Sequence, residues 1–110
     1  MANYHIFHTP LFDEQFEKCP LFEQKWIDRI EEQLSEKGPL VGKPLGNSFF
    51  REKKLGGKRL YFLVYVELKI ILIIAFDDKK TQPETITKIR ENIAGYKDYV
   101  ERRIREDNLL

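Results

Sequence analysis

The sequence predicts an α+β domain: an antiparallel β-sheet meander packed against two N-terminal helices, plus a C-terminal helix. Three observations carry this expectation. Leu60 to Val66 and Ile70 to Phe76 are rich in aromatic and β-branched side chains, the composition of strands. Gly56-Gly57 sits between two runs of strand type, where a tight turn needs residues tolerant of positive φ. Phe22, Trp26, Ile30 and Leu34 recur every four residues, which is the repeat of an amphipathic helix.

The elements follow in order. Asn3 to His8 reads as a first strand, with Tyr4 and Ile6 alternating against His5 and Phe7. Thr9-Pro10 ends it and opens a short helix carrying Phe12 and Phe16 on one face. Pro20 begins the longer helix, at a position where a missing N–H costs nothing. Gly38-Pro39 stops that helix, and Leu40 to Asn47, with Gly42, Pro44 and Gly46, is expected to be a loop. The hairpin comes next. Glu67-Leu68-Lys69 makes a second turn, and Ile70 to Phe76, apolar at every position, is expected to be an inner strand covered on both faces. Pro83 opens the last helix, with Ile86, Ile89 and Ile93 on one face. Gly95 is expected to interrupt it before Tyr96, Val100 and Ile104.

At 110 residues the chain is expected to form one domain, residues 1–110. Its longest apolar run is far too short to cross a bilayer, and no secretory leader is read at its start. A single cysteine, Cys19, cannot form an internal disulfide, which fits a cytoplasmic protein. The net charge of +1 argues against generic adhesion to nucleic acid. The charge is nevertheless polarised along the chain. From Asp13 to Glu36 eight acids face three bases, whereas from Lys43 to Arg59 six bases face Glu52 alone. Such separation points to one surface that meets an anion.

Four cations, Lys53, Lys54, Lys58 and Arg59, flank the Gly56-Gly57 turn, and a hairpin is a rigid support for them. The glycine pair lacks the spacing of a phosphate-binding P-loop. His5, His8 and Cys19 do not form a metal-binding spacing, so no metal or other cofactor is expected. Tyr61, Phe62 and Tyr65 read as packed sheet aromatics.

Four segments in order resemble the RelE/ParE superfamily of small toxins. They are Gly42-Lys-Pro-Leu45, Phe50-Arg-Glu-Lys53, Arg59-Leu-Tyr-Phe-Leu-Val-Tyr65 and Phe76-Asp-Asp-Lys-Lys-Thr-Gln82, the last similar to an element of the HigB-like branch. The resemblance implies the RelE-like fold and a toxin neutralised by a cognate antitoxin in a hetero-oligomer. It implies a RelE/HigB-like endoribonuclease that cleaves mRNA, usually on the ribosome, and so inhibits translation. ParE-like members of the superfamily instead poison DNA gyrase without nuclease activity, and a degenerate member would only bind its antitoxin. One fold serves all three.

Metal-free RNA cleavage needs a proton acceptor for the 2′-hydroxyl, positive charge around the phosphate, and a proton for the leaving 5′-oxygen. Arg and Lys suit the second role. By the resemblance Arg51, Lys53, Arg59 and Lys80 are the catalytic candidates, and Lys54, Lys58 and Lys79 the RNA-binding ones. Many superfamily members carry a tyrosine or histidine after the exit strand. Thr81, Gln82, Pro83, Glu84 and Thr85 follow Lys80 here, leaving Tyr61, Tyr65, Tyr96 or Tyr99 as substitutes.

Overall fold

The computed structural model describes residues 3–108. The chain divides after Lys79 into two compact units. The first holds two helices and a five-stranded sheet; the second holds two helices.

In the first unit the strands are β1 (His5–His8), β2 (Lys43–Pro44), β3 (Phe50–Leu55), β4 (Lys58–Tyr65) and β5 (Ile70–Asp78). The sheet order is β1-β5-β4-β3-β2. The meander β3-β4-β5 is antiparallel as expected, because its turns are too short for a parallel crossover. Two features go beyond the expectation. β1 pairs parallel with β5, so the sheet is mixed. And the loop after Pro39 contributes a two-residue edge strand, with Lys43 opposite Glu52 and Pro44 opposite Arg51.

Gly56 takes φ +54 in the β3–β4 turn, a conformation costly to any residue with a Cβ. The two-residue turn fixes the register: Leu55 faces Lys58, Lys54 faces Arg59 and Glu52 faces Tyr61. Register in turn fixes which side chains share a face, because side chains alternate along a strand. Leu60, Phe62 and Val64 of β4, with Ile71, Ile73 and Phe76 of β5, look toward the helices. Phe50, Tyr61, Leu63 and Leu72 lie on the second face and are also buried.

The helices α1 (Pro10–Glu17) and α2 (Leu21–Lys37) close the first face. Phe12, Ile27, Ile30 and Leu34 enter the core there, each worth about 1.5–3 kcal/mol of burial. The expected stripe is corrected at its start. Phe22 is 65% exposed and Trp26 only partly buried, its ring centroid 6.0 Å from that of Phe76. The inward line runs Glu23, Ile27, Ile30, Leu34 instead.

β5 carries a bulge: Ala75 faces Tyr61 and Ile73 faces Phe62, leaving Ile74 extra. α1 supplies partners nearby. Thr9 Oγ1, which caps α1 by accepting from Phe12 N at 3.1 Å, donates to Ile74 O at 2.7 Å. Gln15 Oε1 accepts from Phe76 N at 2.8 Å. His8, at the end of β1, reaches both helices: Nε2 lies 2.7 Å from Glu31 Oε1, and Nδ1 lies 3.2 Å from Asp13 Oδ1. The Glu31 hydrogen bond raises the imidazole pKa above its ordinary value, against a smaller lowering from burial.

The second unit contains α3 (Gln82–Glu91) and α4 (Ile93–Glu106). Pro83 sits in the first turn of α3 as expected. The break comes at Asn92, however, and Gly95 lies inside α4. Asn92 leaves helical φ and its Nδ2 donates to Lys88 O at 2.8 Å, closing the end of α3. Ile89, Val100 and Ile104 are buried. No helix is long and apolar enough to cross a membrane among the described residues.

Candidate functional site

The cations gather at the turn end of the sheet, and strand parity sorts them. Arg51, Lys53 and Lys58 fall on the first face with Leu55 and Leu60. Lys54 and Arg59 are cross-strand partners on the second, with Glu52, Tyr61 and Asp77 beside them. Arg51 and Lys53 thus share a face, as their spacing implies, but Arg59 projects from the other side of the sheet. That division was available from the sequence: a two-residue turn at Gly56-Gly57 already places residue 59 opposite residue 54.

The two arginines are engaged by the chain itself. Arg51 donates Nε to Val41 O at 2.8 Å, Nη2 to Gly42 O at 2.9 Å and Nη1 to Ser48 O at 3.2 Å. One guanidinium thereby holds both ends of the segment that carries β2. Arg59 is only 7% exposed. Its Nη1 donates to Gly56 O at 3.1 Å and Lys58 O at 3.0 Å, and its Nε stands 3.8 Å from Glu52 Oε1.

Glu52, 2% exposed, is the residue that sequence reasoning passed over. In a charge count it is merely the lone acid among six bases. In the fold it faces Tyr61 across β4 and pairs with Arg59, so a carboxylate and a guanidinium share one buried layer. Tyr61 is fully buried, and its hydroxyl pKa is pushed far up, first by burial and then by the negative charges of Asp77 and Glu52. That hydroxyl holds its proton, which makes it unsuited to act as a base. Burial likewise raises Tyr96. Tyr99 OH accepts from Arg103 Nη1 at 3.1 Å.

The lysines differ sharply. Lys58 donates to Glu23 Oε1 at 2.8 Å and lies 5.3 Å over the Phe76 ring, fastening the hairpin tip to α2. The hydrogen bond to Glu23 is the main cause of its raised pKa. Lys54 and Lys79 are exposed; the Lys79 backbone N–H donates to Gly57 O at 2.7 Å, which sets the end of β5 beside the hairpin turn. Lys53 is half-buried, and with Leu40, Gly42, Lys43, Glu52 and Lys54 it lines an open groove of about 390 Å³ at the sheet edge. Lys80 is exposed and opens the second unit. Among the described residues no group of three or more His, Cys, Asp and Glu side chains is placed to hold a metal ion.

Comparison with solved structures gives the fold. The chain superposes on an E. coli RelE toxin double mutant in the free state with a TM-score of 0.66 and 16% identity, covering 79% of this chain and 98% of that one. It matches the toxin–antitoxin complex RelBE2 from Mycobacterium tuberculosis with a TM-score of 0.60 and 22% identity, over 69% of this chain and 98% of that one. The intact E. coli RelBE toxin–antitoxin complex matches with a TM-score of 0.60 and 17% identity, over 68% and 95%. No protein-family model matches the sequence, and no curated protein matches it. The chain has the RelE-like α+β fold, a mixed five-stranded sheet with four α-helices among the described residues.

Proposed function

We propose that this chain is the toxin of a toxin–antitoxin pair and acts as a metal-independent endoribonuclease on mRNA, on the ribosome, in the cytoplasm. The fold supports this, since the solved structures it matches are RelE toxins, free or with antitoxins. The observation that carries the chemistry is the Glu52–Arg59 pair at the lysine-bearing end of that fold's sheet. A carboxylate beside a guanidinium can take the 2′-hydroxyl proton while the guanidinium meets the charge that grows on the phosphate. The 2′-oxygen then attacks the neighbouring phosphorus, and the bond to the 5′-oxygen breaks as that oxygen takes a proton from water, whose hydroxide is neutralised by the proton held on Glu52. Lys54 and Lys79 bind flanking phosphates as point charges. Of the remaining candidates, Lys53 serves RNA binding, Lys58 serves hairpin anchoring, and Arg51 acts through the loop it holds.

A second reading has its own observation. Arg59 and Glu52 are both closed to solvent and engaged with each other. Cleavage requires this face to open on binding RNA, whereas a family member that only binds an antitoxin, or a ParE-like inhibitor of gyrase, does not.

The test is expression in cells with and without the product of any short reading frame found beside its gene, with mapping of RNA 5′-ends with and without ribosomes. Growth arrest with new mRNA ends, relieved by the partner, is the expected result. Arrest without new ends, together with loss of gyrase supercoiling, replaces the nuclease reading by the ParE-like one. Tight partner binding without arrest leaves the antitoxin-binding role alone.

A further inference from the structure

We infer that Arg51 is a positioning residue, and that the lysine groove it builds at the sheet edge docks the backbone of single-stranded RNA. The inference rests on the ribonuclease reading above and adds to it a place for the substrate's backbone beside the reacting phosphate. The construction starts from the loop. Arg51 ties the carbonyls of Val41, Gly42 and Ser48 to β3 with three hydrogen bonds. Gly42 takes φ +78, and a Cβ there would sit 2.4 Å from Glu52 O, so only glycine lets the loop lie this close to the strand.

That close approach sets Lys43 opposite Glu52. Lys43 and Lys54 then occupy the same face as diagonal neighbours, roughly 7–8 Å apart. Lys53 comes from the other side of the same strand. These lysines, with Leu40 and Gly42, line the groove of about 390 Å³. Its single acid, Glu52, directs its carboxylate to Arg59, so the charge presented to solvent is cationic.

An acidic peptide pairing along β3 is the competing occupant. β2 already covers the edge at Arg51 and Glu52, which leaves only Lys53 to Leu55 for strand pairing. Among the described residues no aromatic side chain lines the groove. The fit is therefore to a train of phosphates, held by charge and without reading of bases.

The experiment is fluorescence anisotropy of a labelled oligouridylate with the full chain at increasing KCl. Three phosphate contacts give a slope of log K against log salt of about −2, and Lys43→Ala or Lys54→Ala each reduce its magnitude by about 0.7. Arg51→Lys keeps the charge but loses the fork. It is expected to reduce the slope as Lys43→Ala does, to speed amide exchange across residues 41–48, and to add nothing when combined with Lys43→Ala. Should Arg51→Lys fail to fold, the two lysine slopes decide the matter. Unchanged slopes in both lysine variants overturn the groove, as does displacement of the oligouridylate by oligoglutamate at lower concentration than by unlabelled oligouridylate. RNA that binds with the expected slopes yet is never cut supports the groove and removes the cleavage reading, so the two failures are distinguishable.

Discussion

Arg51 and Arg59 lie on paired strands of one hairpin, yet the fold puts them to opposite uses. Arg51 projects from the helix-facing side and spends all three nitrogens of its fork on backbone carbonyls of a neighbouring loop. Arg59 projects from the other side into a buried layer with Glu52, Tyr61 and Asp77. Positive charge counted along a sequence is therefore not positive charge offered to a ligand. Parity about the turn decides the face, and the nearest carbonyls and carboxylates decide what is left over.

The comparison breaks most visibly at Arg59. Arg59→Ala takes the guanidinium away from the buried Glu52 carboxylate, and removing one member of a buried pair costs about 3–5 kcal/mol. Urea denaturation is expected to show that loss in the midpoint. The double variant Arg59→Leu/Glu52→Leu is expected to recover most of it, because the uncompensated charge is gone. If the single variant is as stable as wild type, the buried layer is not the structural unit described. On the ribonuclease reading proposed above, cleavage by Arg59→Ala, measured where it is still folded, is expected to fall by a factor of about 10²–10³.

Lys58 sharpens the comparison between engaged and free cations. Lys58→Ala leaves Glu23, largely buried, without its 2.8 Å donor and is expected to cost about 1–3 kcal/mol. Lys54→Ala, exposed on the opposite face, is expected to change stability by less than about 0.5 kcal/mol. Equal effects for these two lysines in thermal unfolding would remove the distinction drawn between them.

The same two regions show what the sequence reveals and what it conceals. The meander was legible because its turns are local: Gly56-Gly57 and the strand composition on either side suffice. The parity of Arg51 and Arg59 was legible too, by counting outward from that turn. The parallel pairing of β1 with β5 was not, since nothing local to His5–His8 names a partner more than sixty residues away. The stripe through Phe22, Trp26, Ile30 and Leu34 was misread at one end for a geometric reason. Steps of four overshoot a 3.6-residue turn by about 40° each, so a strict series spirals off the buried face. The mixed series Glu23, Ile27, Ile30, Leu34 stays on it. Asn92, not Gly95, breaks the last helix, because an amide side chain that bonds the preceding turn closes it, while an exposed glycine can simply stay helical. Glu52 was invisible as a site residue because its importance lies in a cross-strand partner, not in its neighbours in sequence.

The smallest expected effect concerns His8, whose two ring nitrogens meet carboxylates from two different helices. Its pKa is raised, chiefly by the hydrogen bond it donates to Glu31. The sign follows from linkage. A group whose folded pKa lies above its unfolded value contributes stability that is full below the unfolded value, here 6.5, and is lost as pH rises through the folded one. Wild type is therefore expected to lose stability relative to His8→Gln between about pH 5 and about pH 8. His8 is about one-third exposed, and solvent screening holds the difference to roughly 1 kcal/mol or less. Denaturant midpoints of the two proteins across that range test it. Parallel curves would mean that the imidazole binds both carboxylates no better charged than neutral. Curves that converge as pH rises would show that a proton on His8 helps to tie β1 to both helices.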